Sequence, residues 1–194
     1  MLNIEIENDA IKTFELDVIE GYADDFLLPV SVVRTSEKVV LHYCTEGYVP
    51  LCAYSFRGEL FSVFSVLRQY VRCLTEARDK LLRPDMLFDR GDMIFTDPRS
   101  GAVRLVYGAA GKAGKADMTG ESGNSVSGNG YSDIVCALMP LLSELSALSS
   151  IVGAKSAMAE IAGHIKAHNP KFEDIMKIIE QTERKWNYVQ PVRP

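Results

Sequence analysis

Four carboxylates fall in the stretch RPDMLFDRGDMIFTDPRSGAVRLVYG, residues 83–108: Asp85, Asp89, Asp92 and Asp97. Acids grouped in this way suggest cation binding or metal-assisted phosphoryl transfer. Phosphoryl transfer is mostly positioning and charge neutralisation. It needs a glycine-rich cradle for the phosphates, a lysine that reaches them, and an Asp/Asn pair that holds the metal. The spacing of the four acids fits no calcium loop, and solvated turns account for them.

The other components of such a machine are missing. Before residue 57 the glycines are Gly21 and Gly47, with no G-x-G-x-x-G. Lys38 is the only lysine between Lys12 and Lys80, and it sits at a predicted hairpin turn. No asparagine occurs between Asn8 and Asn124. Laying MIFTD over the N-I-L-x-D run of a protein kinase puts Met93 at the metal-binding Asn and Phe88 at the catalytic Asp. Where Asp-Phe-Gly belongs the chain has Tyr107, Gly108 and Ala109, and no acid lies between Asp97 and Asp117. Triphosphate charge would stay uncompensated. The expectation is a non-enzyme with no catalytic, cofactor-binding or metal-binding residues. The competing reading is an atypical nucleotide-dependent enzyme using Asp85, Asp89 or Asp97, or a small-molecule sensor.

Three further clusters invite chemistry and yield to simpler readings. AAGKAGKADMTG lacks the P-loop pattern, since Ala116 follows Gly114-Lys115 and Ala109 stands five before Gly114. Glu160, His164 and His168 share i, i+4, i+8 spacing, but no fourth ligand completes a site, and histidines suit the end of a helix dipole. His42 and Cys44 share a strand face, but nothing nearby supplies oxyanion donors. The four cysteines, Cys44, Cys52, Cys73 and Cys136, form no CxxC and read as buried free thiols. The closing PVRP is a single Pro-x-x-Pro.

The elements that would hold these residues follow from periodicity. Residues 2–7 alternate weakly. IKTFELDVI, residues 11–19, alternates better and predicts a strand with Ile11, Phe14, Leu16 and Val18 inward. Phe26–Arg34 and Glu37–Thr45 predict a hairpin around Thr35-Ser36. Tyr48–Ser55 is a short strand or an extended lead, with Pro50 favouring an edge or a connection. After Arg57-Gly58, Leu60, Phe64, Leu67, Val71 and Leu74 mark the apolar stripe of a long helix that stops at Pro84. Met93–Asp97 and Ala102–Tyr107 predict a second hairpin through Pro98-Arg99-Ser100-Gly101.

Residues 108–130 hold half of the 14 glycines and no aromatic, which reads as a flexible loop. Tyr131–Leu148 predicts a helix kinked or interrupted at Pro140. A second helix spans Ser156–His168, with Ser156 as a cap. A third starts at Asn169-Pro170 as N-cap and first helical position, and carries Phe172, Ile175, Met176, Ile179 and Trp186.

The chain of 194 residues is 47% hydrophobic and 24% charged, enough to bury one sizeable core. A net charge of −5 leaves no global electrostatic footprint for nucleic acid. No apolar run reaches the roughly 20 residues of a membrane span, and the N-terminus lacks a secretory pattern. A cytoplasmic protein is expected.

The order FLLPVSVVRTSEKVVLHY, then LFSVFSVLRQYVRCLTEA, then LLRPDMLFDRGDMIFTDPRSGAVRLVYG, then NPKFEDIMKIIEQ, resembles a bacterial family of unknown function. Members of that family commonly precede a forkhead-associated phosphothreonine-binding domain. The order is also similar to the pseudokinase-type cytoplasmic domain of a type VII secretion component. The match covers roughly residues 11–185 and rests on apolar positions and turns. No forkhead-associated domain follows the helices in this chain, and the Gly-rich insertion departs from the pattern.

The resemblance implies a degenerate protein-kinase-like architecture of the α+β class. An N-terminal antiparallel sheet packs on a long helix, followed by a central β-hairpin and a C-terminal helical subdomain. One domain spans 1–186, with a strand-rich segment over 1–56, helix and hairpin over 57–107, the loop 108–130 and a helical segment over 131–186. Residues 187–194 form a disordered tail. The implied role is a non-catalytic interaction scaffold in a cytoplasmic regulatory, signalling or secretion-linked assembly. Its partners would be proteins, such as a component with a forkhead-associated domain or a secretion-system component, with no nucleic acid, no direct membrane insertion and no cofactor.

Overall fold

The alternating LNIEIE opens the chain as strand β1 (Leu2–Glu7), with Ile6 buried and the two glutamates outward. A computed structural model describes residues 1–22, 25–56, 59–108, 131–147, 151–168 and 170–189.

The predicted strand at 11–19 is instead helix α1 (Thr13–Tyr22). Ile11, Glu15, Leu16 and Ile19 are all buried, and their spacing belongs to one helical face. Phe14, expected inward, is 40% exposed, and Val18 is half-buried. The hairpin around Thr35-Ser36 forms as expected from β2 (Val30–Arg34) and β3 (Lys38–Tyr43). Thr35 closes it twice: its N–H donates to the Lys38 carbonyl at 2.9 Å, and its Oγ1 accepts from the Lys38 N–H at 3.0 Å. The antiparallel sheet has the order β1-β3-β2 and places Leu2 and Val30 on either side of Tyr43.

A second small sheet has the order β4-β5-β6, from β4 (Val49–Pro50), β5 (Phe95–Thr96) and β6 (Val103–Arg104). Its strands are two residues each, shorter than the hairpin predicted for 93–97 and 102–107. Asp97 organises the turn. Its carboxylate accepts from the Arg99 N–H at 2.8 Å and the Ser100 hydroxyl at 2.6 Å, and Gly101 takes φ of +72°. The two sheets are stitched where the Leu28 N–H donates to the Leu105 carbonyl and the Leu105 N–H donates to the Phe26 carbonyl.

Helix α2 (Leu60–Asp79) buries all five stripe residues, and also Val63, Val66, Tyr70, Cys73 and Ala77. The buried face is wider than one stripe because α2 has neighbours on several sides: β6, the turn Pro84–Met86, α3 (Tyr131–Ser146) and α5 (Phe172–Val189). By backbone proximity the N-terminal sheet lies nearest to α1, through β2, and the strand that approaches α2 most closely is β6. Gln69 of α2 clamps that strand's outer edge, donating to the Gly101 carbonyl at 2.9 Å and accepting from the Val103 N–H at 3.1 Å. Each buried Leu or Phe of the stripe contributes roughly 1.5–3 kcal/mol.

Of the two outcomes expected at Pro140, kink or interruption, the interruption does not occur: helix α3 is continuous across this exposed proline. Helix α4 (Ala154–His168) starts two residues before Ser156, which is therefore an exposed residue of its first turn and not its cap. Pro170 precedes α5 by two residues, and the predicted cap Asn169 lies outside the described residues. Ile175 and Ile179 are buried as expected. Helix α5 runs to Val189, three residues into the segment read as tail. It returns to α2, where Glu183 pairs with Arg68. The molecule is thus α+β, and among the described residues the core is shared by two small sheets and five helices.

Candidate functional site

The C-terminal end of α2 aims Arg83 inward. The Leu82 N–H donates to the Ala77 carbonyl and the Leu81 N–H to the Arg78 carbonyl, the paired bonds of a Schellman turn. Leu81 holds the left-handed position at φ of +61° and is 73% exposed. Leu82 turns back into the core. The chain then rises through the Pro84–Met86 turn toward the second hairpin.

Arg83 meets Glu15 of α1. Its Nε donates to Oε1 at 2.7 Å and its Nη2 to Oε2 at 3.1 Å, a two-bond fork. Nη2 also donates to the Ala10 carbonyl. The Tyr107 hydroxyl donates to Glu15 Oε1 at 2.7 Å, and the Lys12 N–H to Oε2 at 2.8 Å. Glu15 is fully buried, and each of its carboxylate oxygens has two donors. Burial pushes the Glu15 carboxyl up, but the bonds from Arg83, Lys12 and Tyr107 outweigh it and hold it below the ordinary carboxylate value. Burial and the Glu15 carboxylate push the Tyr107 phenol upward, so it stays a donor.

Tyr107 is also gripped through its backbone. The Tyr43 hydroxyl, at the end of β3, donates to the Tyr107 carbonyl at 2.9 Å and accepts from the Tyr107 N–H at 3.0 Å. Next to it, a Cβ on Gly108 would lie 2.6 Å from the Ile4 side chain and 3.0 Å from Phe88, so only glycine fits without displacement. Tyr107 is thus a buried tyrosine whose hydroxyl donates a hydrogen bond to a carboxylate. No family model and no curated protein matches this chain.

The other sequence candidates are scattered, and several are engaged elsewhere. Lys38 pairs with Glu5 across the strands at 2.6 Å, on the outer face of the sheet. Asp92 pairs with Arg90, Asp97 folds its turn, Asp85 is exposed and Asp89 half-buried. Met93 is half-buried and Phe88 is buried. Glu160 is held by Lys185 at 2.8 Å and by the Trp186 indole N–H, while His164 and His168 stack on the exposed face of α4. His42 bonds Asn3 across the strands. Among the described residues no three His, Cys, Asp or Glu side chains converge as metal ligands.

The described cysteines are free thiols as expected, but the expected burial is corrected at two of them. Cys44 and Cys52 are exposed, Cys73 alone of the described thiols is buried, and the Cys136 side chain lies outside the described residues. The P-loop-like run 109–120 and nearly all of the Gly-rich loop also lie outside them.

Glu15, Arg83 and Tyr43 were missed from sequence. The available signals were a glutamate within the apolar run IKTFELDVI and an arginine directly before a helix-stopping proline.

Proposed function

We propose that this chain is a non-catalytic protein-interaction domain, a pseudokinase-like scaffold in a cytoplasmic regulatory or secretion-linked assembly. One observation carries the non-catalytic reading: Tyr107, at the position of the missing Asp-Phe-Gly acid, is buried with its hydroxyl committed to Glu15. Lys38, engaged with Glu5, supports the same reading. A buried carboxylate with both oxygens bonded ties two regions of a fold together and offers no open coordination position to a metal. That suits a rigid platform. Among the described residues no helix is long and apolar enough to cross a membrane.

The deciding experiment is a thermal-shift titration of the whole chain with ATP and GTP, each with and without magnesium. The reading expects an unchanged midpoint at millimolar nucleotide. A ligand that binds only the folded state raises the midpoint by mass action. A magnesium-dependent rise would therefore overturn it and make Asp92, Asp97 and Lys38 the first residues to substitute. Deletion of residues 109–130 then tests whether that loop carries the partner surface, with partner binding measured before and after.

A further inference from the structure

A cleft of about 250 Å3 lies between α2 and the outer edge of β6 and shares no lining residue with the Glu15 network. Asp25, Gln69, Arg72, Cys73, Glu76 and Arg104 line it. Two of these are spent on the strand. Gln69 clamps the Gly101 carbonyl and the Val103 N–H, and the Cys73 thiol donates to the Val103 carbonyl at 3.4 Å.

The remaining four are ionic, and none is in an ion pair among the described residues. Arg72 and Glu76 even stand four apart on α2, a spacing at which opposite charges can meet. Arg104 is anchored by its Nη1, which donates to the Val103 carbonyl at 3.0 Å. Its Nε is buried and has no acceptor. A buried guanidinium N–H without a partner is costly.

The Nη2 of Arg104 makes no hydrogen bond among the described residues and is the guanidinium donor left for a carboxylate. Arg72 adds a second cation on the same wall. Asp25 and Glu76 supply acceptors for a positive group. The four charges sum to zero, so a bare anion or a bare cation would leave one pair unmet. A small molecule carrying both signs meets all four, and the volume suits one of few heavy atoms.

We propose that this cleft binds a free α-amino acid with a small side chain, its carboxylate on Arg104 and Arg72 and its ammonium on Glu76 and Asp25. The assignment does not rest on the scaffold reading.

The test is a calorimetric titration of the whole chain with glycine, alanine and serine, with acetate, methylammonium and inorganic phosphate as probes of one charge sign. Saturable binding of at least one amino acid is expected, with each single-sign probe weaker by about tenfold or more. Arg104→Gln and Glu76→Gln should each weaken it by about tenfold while keeping the ligand-free melting midpoint and circular dichroism of the parent. No saturable response to any of the three amino acids overturns the proposal. So does acetate or phosphate binding as tightly as the amino acid. If Arg104→Gln does not fold, the half-buried Glu76 decides alone, and undiminished binding in Glu76→Gln overturns the proposal.

Discussion

The hydroxyl of Tyr43 closes both backbone groups of Tyr107, 64 residues away, donating to its carbonyl and accepting from its N–H. A side chain thereby takes the place of a neighbouring strand at the point where the second hairpin leaves its ladder. Tyr43→Phe would strip both partners from a wholly buried peptide group. We expect a loss of about 2–3 kcal/mol in unfolding free energy, read from urea denaturation. A loss below about 0.5 kcal/mol would show that water reaches the site, against the burial of both rings.

Glu15→Gln should cost about 2 kcal/mol. That is less than the roughly 3–5 kcal/mol for a wholly buried broken pair, because the Arg83 side chain keeps 34% exposure and can draw on solvent. The pH dependence has a definite sign. The folded carboxyl lies below its unfolded value near 4.5, so the unfolded state binds more protons in the window beneath it. The stabilisation is complete above that value and drains away as pH falls through the folded one. Parent and variant stabilities should therefore converge on acidification from pH about 6 to about 3. Parallel curves would remove Glu15 as the titrating group.

Leu81 sits in the left-handed region with its side chain in water, a conformation that costs a branched residue about 1 kcal/mol and glycine almost nothing. Leu81→Gly is expected to raise stability by about 0.5–1 kcal/mol despite the added freedom of the unfolded chain. Thermal unfolding of the pair measures it, and a lower midpoint for the glycine variant contradicts the account.

The thiols should sort by environment. Cys44 and Cys52 are exposed, whereas burial pushes the Cys73 thiol up to about 12 and its Sγ is held on the Val103 carbonyl. In a Cys136→Ser background, Ellman's reagent should modify two thiols of the native protein quickly and the third only on unfolding. Fast modification of Cys73, located by mass spectrometry, would show that the α2–β6 contact opens.

What the sequence disclosed, it disclosed through local periodicity. The Thr35-Ser36 hairpin has two β-rich arms and a short loop, and α2 has an apolar residue every third or fourth position over 20 residues. Helix α1 hid for a local reason. Over only nine residues IKTFELDVI fits period two as well as a helix, and its buried face includes a carboxylate that interrupts the apolar stripe. The network was illegible because its members come from residues 15, 43, 83 and 107, and no spacing rule joins a glutamate to an arginine 68 residues on. The exposure of Cys44 and Cys52 was hidden too, since it depends on which strand edge and which turn face outward.

The separation of Glu15 from its partners also sets a timetable. A ribosome adding roughly 5–20 residues per second needs about 5–18 s to pass from Glu15 to Tyr107, 92 residues later. Over most of that interval Glu15 has no cation to be buried against, so α1 cannot close over it. Chains ending at residue 82 should stay protease-sensitive throughout, and a protected N-terminal fragment would contradict this. The pace at which the first third of the molecule folds is then set by the arrival of residues 83–107, and its own length has little say in the matter.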